Sequence, residues 1–90
     1  MIRIDPDYGD AHYNLGCAYY DSGKYKEAIK SYKQAIKIDP DHASAHNNLG
    51  VAYEKSGKYK EAIKSYKQAI KIDPDHALAH DNLKAIQEKC

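Results

Sequence analysis

The chain has 90 residues, of which 42% are hydrophobic and 30% charged, and its formal net charge is +1. No apolar run approaches the roughly 20 residues that span a bilayer, and the opening residues leave no room for the apolar stretch of a secretory leader. These properties exclude a membrane-spanning or exported protein, so we expect a soluble, globular protein of the cytoplasm.

An internal repeat organises almost the whole chain. Residues 22–43 recur without a change as residues 56–77, a shift of 34 positions, and segment 14–16 returns as 48–50. A unit of that length is one supersecondary element stacked on copies of itself. We therefore expect a single helical-repeat domain with four parts: a remnant of a preceding repeat at 1–8, repeat 1 at 9–42, repeat 2 at 43–76 and a capping helix at 77–90.

The amino-terminal remnant predicts an uncovered edge. Ile2 and Ile4 match the last turn of a second helix, so repeat 1 presents an apolar face that an earlier repeat would normally cover. Contiguous exposed apolar surface usually marks an interaction site. We therefore expect self-association, through end-to-end stacking or exchange of helices between chains.

Each unit is predicted to contain two helices. The first covers about 10–21, and Gly23 follows it as a cap with positive φ. Pro40 ends the second helix because it lacks an amide hydrogen, and Asp41 is expected to cap the next one. The apolar residues of the second helix fall at helical spacing: Tyr25, Ala28, Ile29, Tyr32, Ala35 and Ile36.

Small residues are expected to set how closely the helices approach. Gly16 and Ala28, with their copies Gly50 and Ala62, leave room for backbones to come together. After residue 77 a further first helix begins, but it carries polar residues where the repeat has a small residue and a tyrosine. These residues, Lys84 and Gln87, indicate a capping helix that faces water.

The spacing of these residues resembles the signature of the tetratricopeptide repeat family. The matching segments are Tyr13-Asn14-Leu15-Gly16…Tyr19 and Gly23…Tyr25…Glu27-Ala28-Ile29…Tyr32…Ala35…Asp39-Pro40. The resemblance implies an all-α, right-handed superhelical stack of antiparallel helix pairs, an α-solenoid of about five helices. His12, His46 and His80 depart from the pattern, because the family often has tryptophan there.

In such a stack the first helices line a concave groove, which suits an extended peptide or a partner helix. The candidate groove residues are Tyr13, Asn14, Cys17, Tyr20, Asn47, Asn48, Val51, Lys55, Asp81 and Asn82. Asn14, Asn48 and Asn82 recur at the repeat period. They are similar to the asparagine ladders with which some family members hold a peptide backbone, although asparagine is also simply common in this segment.

The family's chaperone-binding members clamp a terminal carboxylate with several lysine, arginine and asparagine residues along the groove. Only Asn48 matches that set here, while Tyr13, Cys17, Leu78 and Asn82 stand at the other positions. We therefore do not expect an adaptor for chaperone tails.

Other chemistry has little support in the sequence. The pairs His42/His46 and His76/His80 lie at i, i+4, but two ligands rarely hold a metal. Cys17 and Cys90 have no partner at Cys-x-x-Cys spacing. We also find no glycine-rich phosphate loop, no Gly-x-Ser-x-Gly elbow and no His-Glu-x-x-His. We expect no enzyme activity, no cofactor and no metal.

The second helices are basic, with five lysines and one glutamate in each of the segments 24–37 and 58–71. Lysines along a solvated helix face usually serve solubility and helix propensity, so nucleic acid remains a minor alternative partner. The sequence predicts a non-catalytic protein–protein interaction scaffold. The alternative is a structural module that assembles with copies of itself.

Overall fold

The structure, a computed structural model, describes the backbone of residues 5–89 and the side chains of residues 9–88. Ile2, Ile4 and Cys90 lie outside the described residues. Within them the chain forms five helices: α1 Asp5–Asp21, α2 Tyr25–Ile38, α3 Ala43–Lys55, α4 Tyr59–Ile72 and α5 Ala77–Lys89. The predicted all-α repeat fold with about five helices is confirmed.

The helices stack in line. Helix α1 pairs with α2 and α3 pairs with α4, while α2 also packs on α3 and α4 packs on α5. The first helices are neighbours as well, since α1 touches α3 and α3 touches α5. Because each pair leans on the next, the apolar stripe of every second helix is buried between two first helices, as expected for a solenoid.

The turns within each pair depend on glycine. Gly23 and Gly57 have φ angles of 79° and 80°, a region that residues with a Cβ rarely adopt. The amide of Lys24 then returns to the carbonyl oxygen of Tyr19, and the amide of Lys58 returns to that of Tyr53. The predicted glycine caps are confirmed. Helices α2 and α4 both end just before an Asp-Pro pair, also as predicted.

The core consists mainly of alanines and one tyrosine per repeat, together with Leu49 and Ile86. Tyr32 and Tyr66 are 2% and 0% exposed, and each ring lies against a glycine of the preceding helix. A Cβ placed on Gly16 would come within 2.6 Å of Cε1 of Tyr32, and one on Gly50 within 2.6 Å of Cε1 of Tyr66. The glycines therefore make room for an aromatic ring. Ring atoms, rather than the backbone atoms that the sequence predicts, lie nearest to each of these glycines.

Helix α1 begins at Asp5, earlier than the predicted start near residue 10. The triplet Asp5-Pro6-Asp7 is helical, whereas the same triplet at 39–41 forms a turn. That turn is held by bonds from the amide of Asp39 to the carbonyl oxygen of Ala35 and from the amide of His42 to that of Asp39. In the first turn of a helix, as in α1, proline loses no intrahelical bond.

Histidine, not aspartate, caps the later first helices. Nδ1 of His42 accepts a hydrogen bond from the amide of Ala45 at 3.1 Å, and Nδ1 of His76 accepts one from Ala79 at 3.3 Å. The prediction of Asp41 as the cap is wrong, because the amide of Asp41 instead bonds back to Oδ1 of Asp39 at 3.3 Å. The aspartates therefore bond to each other within the turn, and the histidines cap the first turn of the helix that follows.

Two further histidines tie each first helix to the preceding turn. Nε2 of His46 lies 3.1 Å from the carbonyl oxygen of Pro40, and Nε2 of His80 lies 2.7 Å from that of Pro74. Each ring donates from Nε2, since a carbonyl oxygen can only accept. At His46 and His80, where the family often has tryptophan, this chain thus has a side chain that donates a hydrogen bond to the preceding turn.

The two ends of the stack differ. At the amino-terminal edge Leu15 is 45% exposed, although its copy Leu49, covered by α2, is only 7% exposed. At the other end Ile86 of α5 is completely buried, while Lys84 and Gln87 are exposed. The water-facing side predicted for α5 is thus present, and the uncovered face lies on α1.

Candidate functional site

The outward faces of α1, α3 and α5 form one continuous surface, because these helices are neighbours. We call this surface the groove face. Most of the predicted groove residues are half-buried or exposed on it, but Asn47 is only 3% exposed. The assignment of Asn47 to the open groove is therefore wrong: its side chain is enclosed between α3 and α5, where it forms hydrogen bonds on both sides.

A chain of side-chain hydrogen bonds joins the three first helices. Asn82 donates to Oδ1 of Asn47 at 3.0 Å, and Asn47 donates to Oδ1 of Asn48 at 3.2 Å. Asn48 in turn donates to the hydroxyl oxygen of Tyr13 at 3.0 Å and reaches Sγ of Cys17 at 3.7 Å. Bonds of this kind fix the register between repeats, since a broken link leaves a half-buried amide without a partner.

The predicted asparagine ladder is thus engaged within the chain. Asn48 and Asn82 each donate to the residue 35 positions earlier, in the preceding first helix. Asn14, the first rung, is exposed. A peptide that used Asn48 as a donor would have to replace the bonds to Tyr13 and Cys17. Whether the ladder holds a peptide backbone stays a prediction.

A cavity of about 150 Å³ opens between α1 and α3. Its lining includes four of the candidate groove residues, Cys17, Tyr20, Asn48 and Val51. Asp21 and Tyr32, which are not among those candidates, complete the lining. Tyr32 reaches it from the second helix because Gly16 admits the ring. The cavity has a mostly aromatic and aliphatic wall with a carboxylate beside it, which suits an amphipathic side chain.

The hydroxyls of the two buried tyrosines, of which Tyr32 lines this cavity, are donors. Tyr32 donates to Sγ of Cys17 at 3.3 Å, and Tyr66 donates to Oε1 of Glu54 at 2.9 Å. Burial, aided by these partners, raises the pKa of Tyr32 and Tyr66 well above the ordinary value near 10, and burial also raises that of Tyr13. Stability from these groups is fully present below pH about 10 and is lost as the pH rises towards the folded-state values.

His42 connects the groove face to the helix cap. Its Nε2 lies 3.5 Å from Oδ1 of Asp10, and its ring lies 4.7 Å from that of Tyr13. Its Nδ1 is the acceptor that caps α3. The side chain of His42 therefore caps the first turn of α3 and also holds α3 against α1.

We expect His42→Ala to destabilise the chain more than His76→Ala, by about 0.5–1.5 kcal/mol. Both changes remove a helix cap, worth about 1 kcal/mol, but only His42 also stacks on a tyrosine ring. Urea unfolding followed by circular dichroism measures both. Equal losses would show that the ring contact contributes nothing.

The groove face is acidic. Among the side chains that the structure describes, its carboxylates are Asp10, Asp21, Glu54, Asp81 and Glu88, and its basic residue is Lys55. The second helices have the opposite character, since their exposed sides carry most of the lysines. Although the net charge of the chain is only +1, the two sides of the stack therefore differ in sign.

Metal binding and membrane insertion gain no support from the described part of the chain. Between residues 5 and 89, no cluster of three or more histidine, cysteine or acidic side chains is placed to hold a metal ion. Both ring nitrogens of His42 and Nε2 of His46 are engaged with the chain itself. Over the same residues, none of the helices has the length and apolar character needed to cross a membrane.

The fold and the groove face define a helical-repeat protein of the α-solenoid class. Family models agree: one described as "TPR repeat" matches residues 16–57, and two described as "Tetratricopeptide repeat" match residues 43–76 and 1–30. The chain belongs to the tetratricopeptide repeat family, whose fold is that of a protein-interaction scaffold. A comparison with curated protein sequences found no match.

Solved structures support the same assignment. The second TPR of Spaghetti (RPAP3), bound to HSP90 peptide SRMEEVD, is 30% identical with a TM-score of 0.87, over 90% of this chain and 75% of that one. MamA is 28% identical with a TM-score of 0.88, over 90% of this chain and 47% of MamA. The first TPR of Spaghetti, bound to the same peptide, is 24% identical with a TM-score of 0.88, over 94% and 68%, and shows the fold alone.

Proposed function

We propose that this chain is a non-catalytic scaffold whose groove face binds a peptide or a partner helix. The observation that carries the proposal is the cavity of about 150 Å³ between α1 and α3, on a surface that runs across three helices. A cavity of that size takes one side chain, and the surface around it is long enough for the residues that flank it. Peptide binding by a similar structure, the second TPR of Spaghetti, supports this class of ligand.

The charge of the groove face favours a basic partner. The HSP90 peptide of the Spaghetti structures contains two glutamates and an aspartate, whereas the described side chains of the groove face include five carboxylates and one lysine. Like charges brought together across an interface cost affinity and slow association. A lysine or arginine would instead place its aliphatic stem in the cavity, against Tyr20 and Val51, and its charge near Asp21.

We expect a lysine-substituted version of the peptide SRMEEVD, in which lysines replace the three acidic residues, to bind more tightly than the original. Fluorescence anisotropy at low salt measures both, and the difference should shrink as salt screens the charges. Asp21→Asn should weaken the basic peptide about two- to fivefold, the range typical of exposed charge pairs. The matched control is Glu61→Gln, which makes the same charge change on α4 and should have no effect.

The outcomes separate the parts of this proposal. If neither peptide binds, the groove is not a peptide site for these ligands. If both bind equally, or if Glu61→Gln acts like Asp21→Asn, then the groove binds peptides but its local charge does not select them.

Self-association is a second candidate function. It is favoured by the difference between Leu15, 45% exposed, and its covered copy Leu49, 7% exposed. We retain the repeat division at 1–8, 9–42, 43–76 and 77–90, and a cytoplasmic location, as proposals. Proteins and peptides are the proposed partners; nucleic acid and membranes are not among them.

A further inference from the structure

The amino-terminal edge and an internal interface of the chain have the same lining. A cavity of about 320 Å³ on α1 and α2 is formed by positions from His12 to Gln34. A cavity of about 330 Å³ on α3 and α4 is formed by the same positions 34 residues later, from His46 to Gln68, and is lined in addition by Lys33 and Ile36 of α2. The internal interface therefore shows which helix fits the open edge.

The contacts of that internal interface are specific. Ile36 and Lys33 of α2 line the cavity beside Leu49 and Tyr53, and Nζ of Lys33 lies 5.9 Å from the centroid of the Tyr53 ring. Ala52 beside them is fully buried. The exposed Leu15 and the half-buried Tyr19 of α1 therefore fit a helix that brings an isoleucine and a lysine at this spacing.

Helix α4 has that sequence. Residues 59–72 are identical to residues 25–38 of α2, so Lys67 and Ile70 stand where α2 has Lys33 and Ile36. In the structure α4 is covered by α5. Helix α5, however, does not reproduce the surface of α3, since Ile86 replaces Ala52 and Gln87 replaces Tyr53.

Helix α1 reproduces that surface more closely than α5 does. Ala18 and Tyr19 match Ala52 and Tyr53, while the alanine and leucine that precede them are shared by all three first helices. Helix α1 can also form the hydrogen bond between asparagines that α5 forms with α3. Asn14 stands at the position of Asn82, whose amide donates to Oδ1 of Asn47 at 3.0 Å.

We propose that α1 of a second copy takes the place of α5 on α4, so that chains join head to tail. This inference rests on self-association, the second candidate function. In the joined pair, Leu15 of one copy packs on Ile70 of the other, Tyr19 lies under Lys67, and Asn14 donates to Asn47. Each contact repeats one that the chain already makes between its own helices.

In the single chain, helix α5 occupies the surface of α4 that α1 of a second copy would bind. It is held on α4 by Ile86, which is completely buried, and it has the advantage of belonging to the same chain, where its effective concentration is in the millimolar range. The contact between copies is heterologous, so released chains add to one another without a fixed end. Loosening α5 therefore switches the protein from single chains to a growing array.

The experiment loosens α5 in the full chain and then blocks the edge. Ile86→Asp puts a charge into the buried contact, and light scattering across a dilution series should show a rise from monomer mass to dimer mass or more. The matched control is the double variant Ile86→Asp/Leu15→Glu. It exposes the same surface of α4 but lacks the apolar face of α1, and we expect it to remain at monomer mass.

Each result has a distinct meaning. If the double variant assembles as much as Ile86→Asp, chains associate but not through α1, and the inference is wrong while self-association stands. If Ile86→Asp keeps its helical dichroism and remains monomeric throughout, both fail. Should Ile86→Asp lose its helical signal, Ile86→Ala with and without Leu15→Glu gives the same comparison, and a monomeric Ile86→Ala at the highest concentration overturns the inference.

Discussion

Replacing Tyr66 with alanine is expected to lower the free energy of unfolding by about 3–5 kcal/mol, the usual cost of deleting a buried aromatic ring. Tyr66 is 0% exposed and belongs to the cluster that joins α4 to α5 through Ala62 and Ile86. Its loss opens a cavity between the helices of repeat 2 and under the capping helix. Small domains are stable by only about 5–15 kcal/mol, so urea unfolding followed by circular dichroism should show a much earlier transition.

Tyr66→Phe is the control for this change. It keeps the ring and removes only the hydrogen bond to Glu54, which is 2.9 Å long, so we expect a loss of about 0.5–1.5 kcal/mol. If the alanine and phenylalanine variants unfolded at the same urea concentration, the hydroxyl rather than the ring would stabilise this repeat.

Gly50→Ala is expected to destabilise the chain by about 1–3 kcal/mol through overpacking. Alanine is normally the better helix former by about 1 kcal/mol, so the sign of this effect is informative. A Cβ at this position would lie 2.6 Å from Cε1 and 2.7 Å from Cδ1 of Tyr66. The ring is enclosed on every side and cannot move away without disturbing the cluster around it. The same urea experiment measures the loss.

The test of this mechanism is a double-mutant cycle with Tyr66→Leu. If the clash with the ring causes the loss, Gly50→Ala should cost less in the Tyr66→Leu background, where the aromatic edge is absent. Gly16→Ala should behave like Gly50→Ala, because Tyr32 lies at the same distance of 2.6 Å. Additive effects of Gly50→Ala and Tyr66→Leu would contradict this explanation.

The helix pairs and their turns could be predicted because they depend on local chemistry. Apolar spacing places the stripes of α2 and α4, glycine at 23 and 57 permits positive φ, and proline at 40 and 74 prevents continuation. The start of α1 could not be predicted in the same way. The Asp-Pro-Asp triplet that is helical at the start of α1 forms a turn at 39–41, where the amide of Asp39 bonds the carbonyl oxygen of Ala35 and the amide of His42 bonds that of Asp39, and nothing in the triplet itself distinguishes the two cases.

The groove face could be located from the sequence, but its internal bonding could not. Helical periodicity puts Asn47 beside Asn48 on the outward side of α3, and nothing local indicates that Asn82 from another repeat encloses Asn47. The apolar stripe of α2 places Tyr32 in the core, away from the groove. Its hydroxyl reaches Cys17 because the ring passes over Gly16, a relation between two helices that appears only once their separation is known.

Helices α2 and α4 have the same sequence, which affects how such a protein can gain further repeats. Residues 22–43 equal residues 56–77, so inserting another copy of residues 22–55 after Lys55 reproduces the chain joints and the packing of first on second helices that the chain already has. It adds one new pair, α3 beside a copy of itself, because the neighbouring first helices of this chain are α1 with α3 and α3 with α5. In that pair Asn48 of the added unit stands at the position from which Asn82 donates to Asn47. Unequal recombination between the two copies can thus lengthen the array in one step, with no intermediate sequence that must first be repaired.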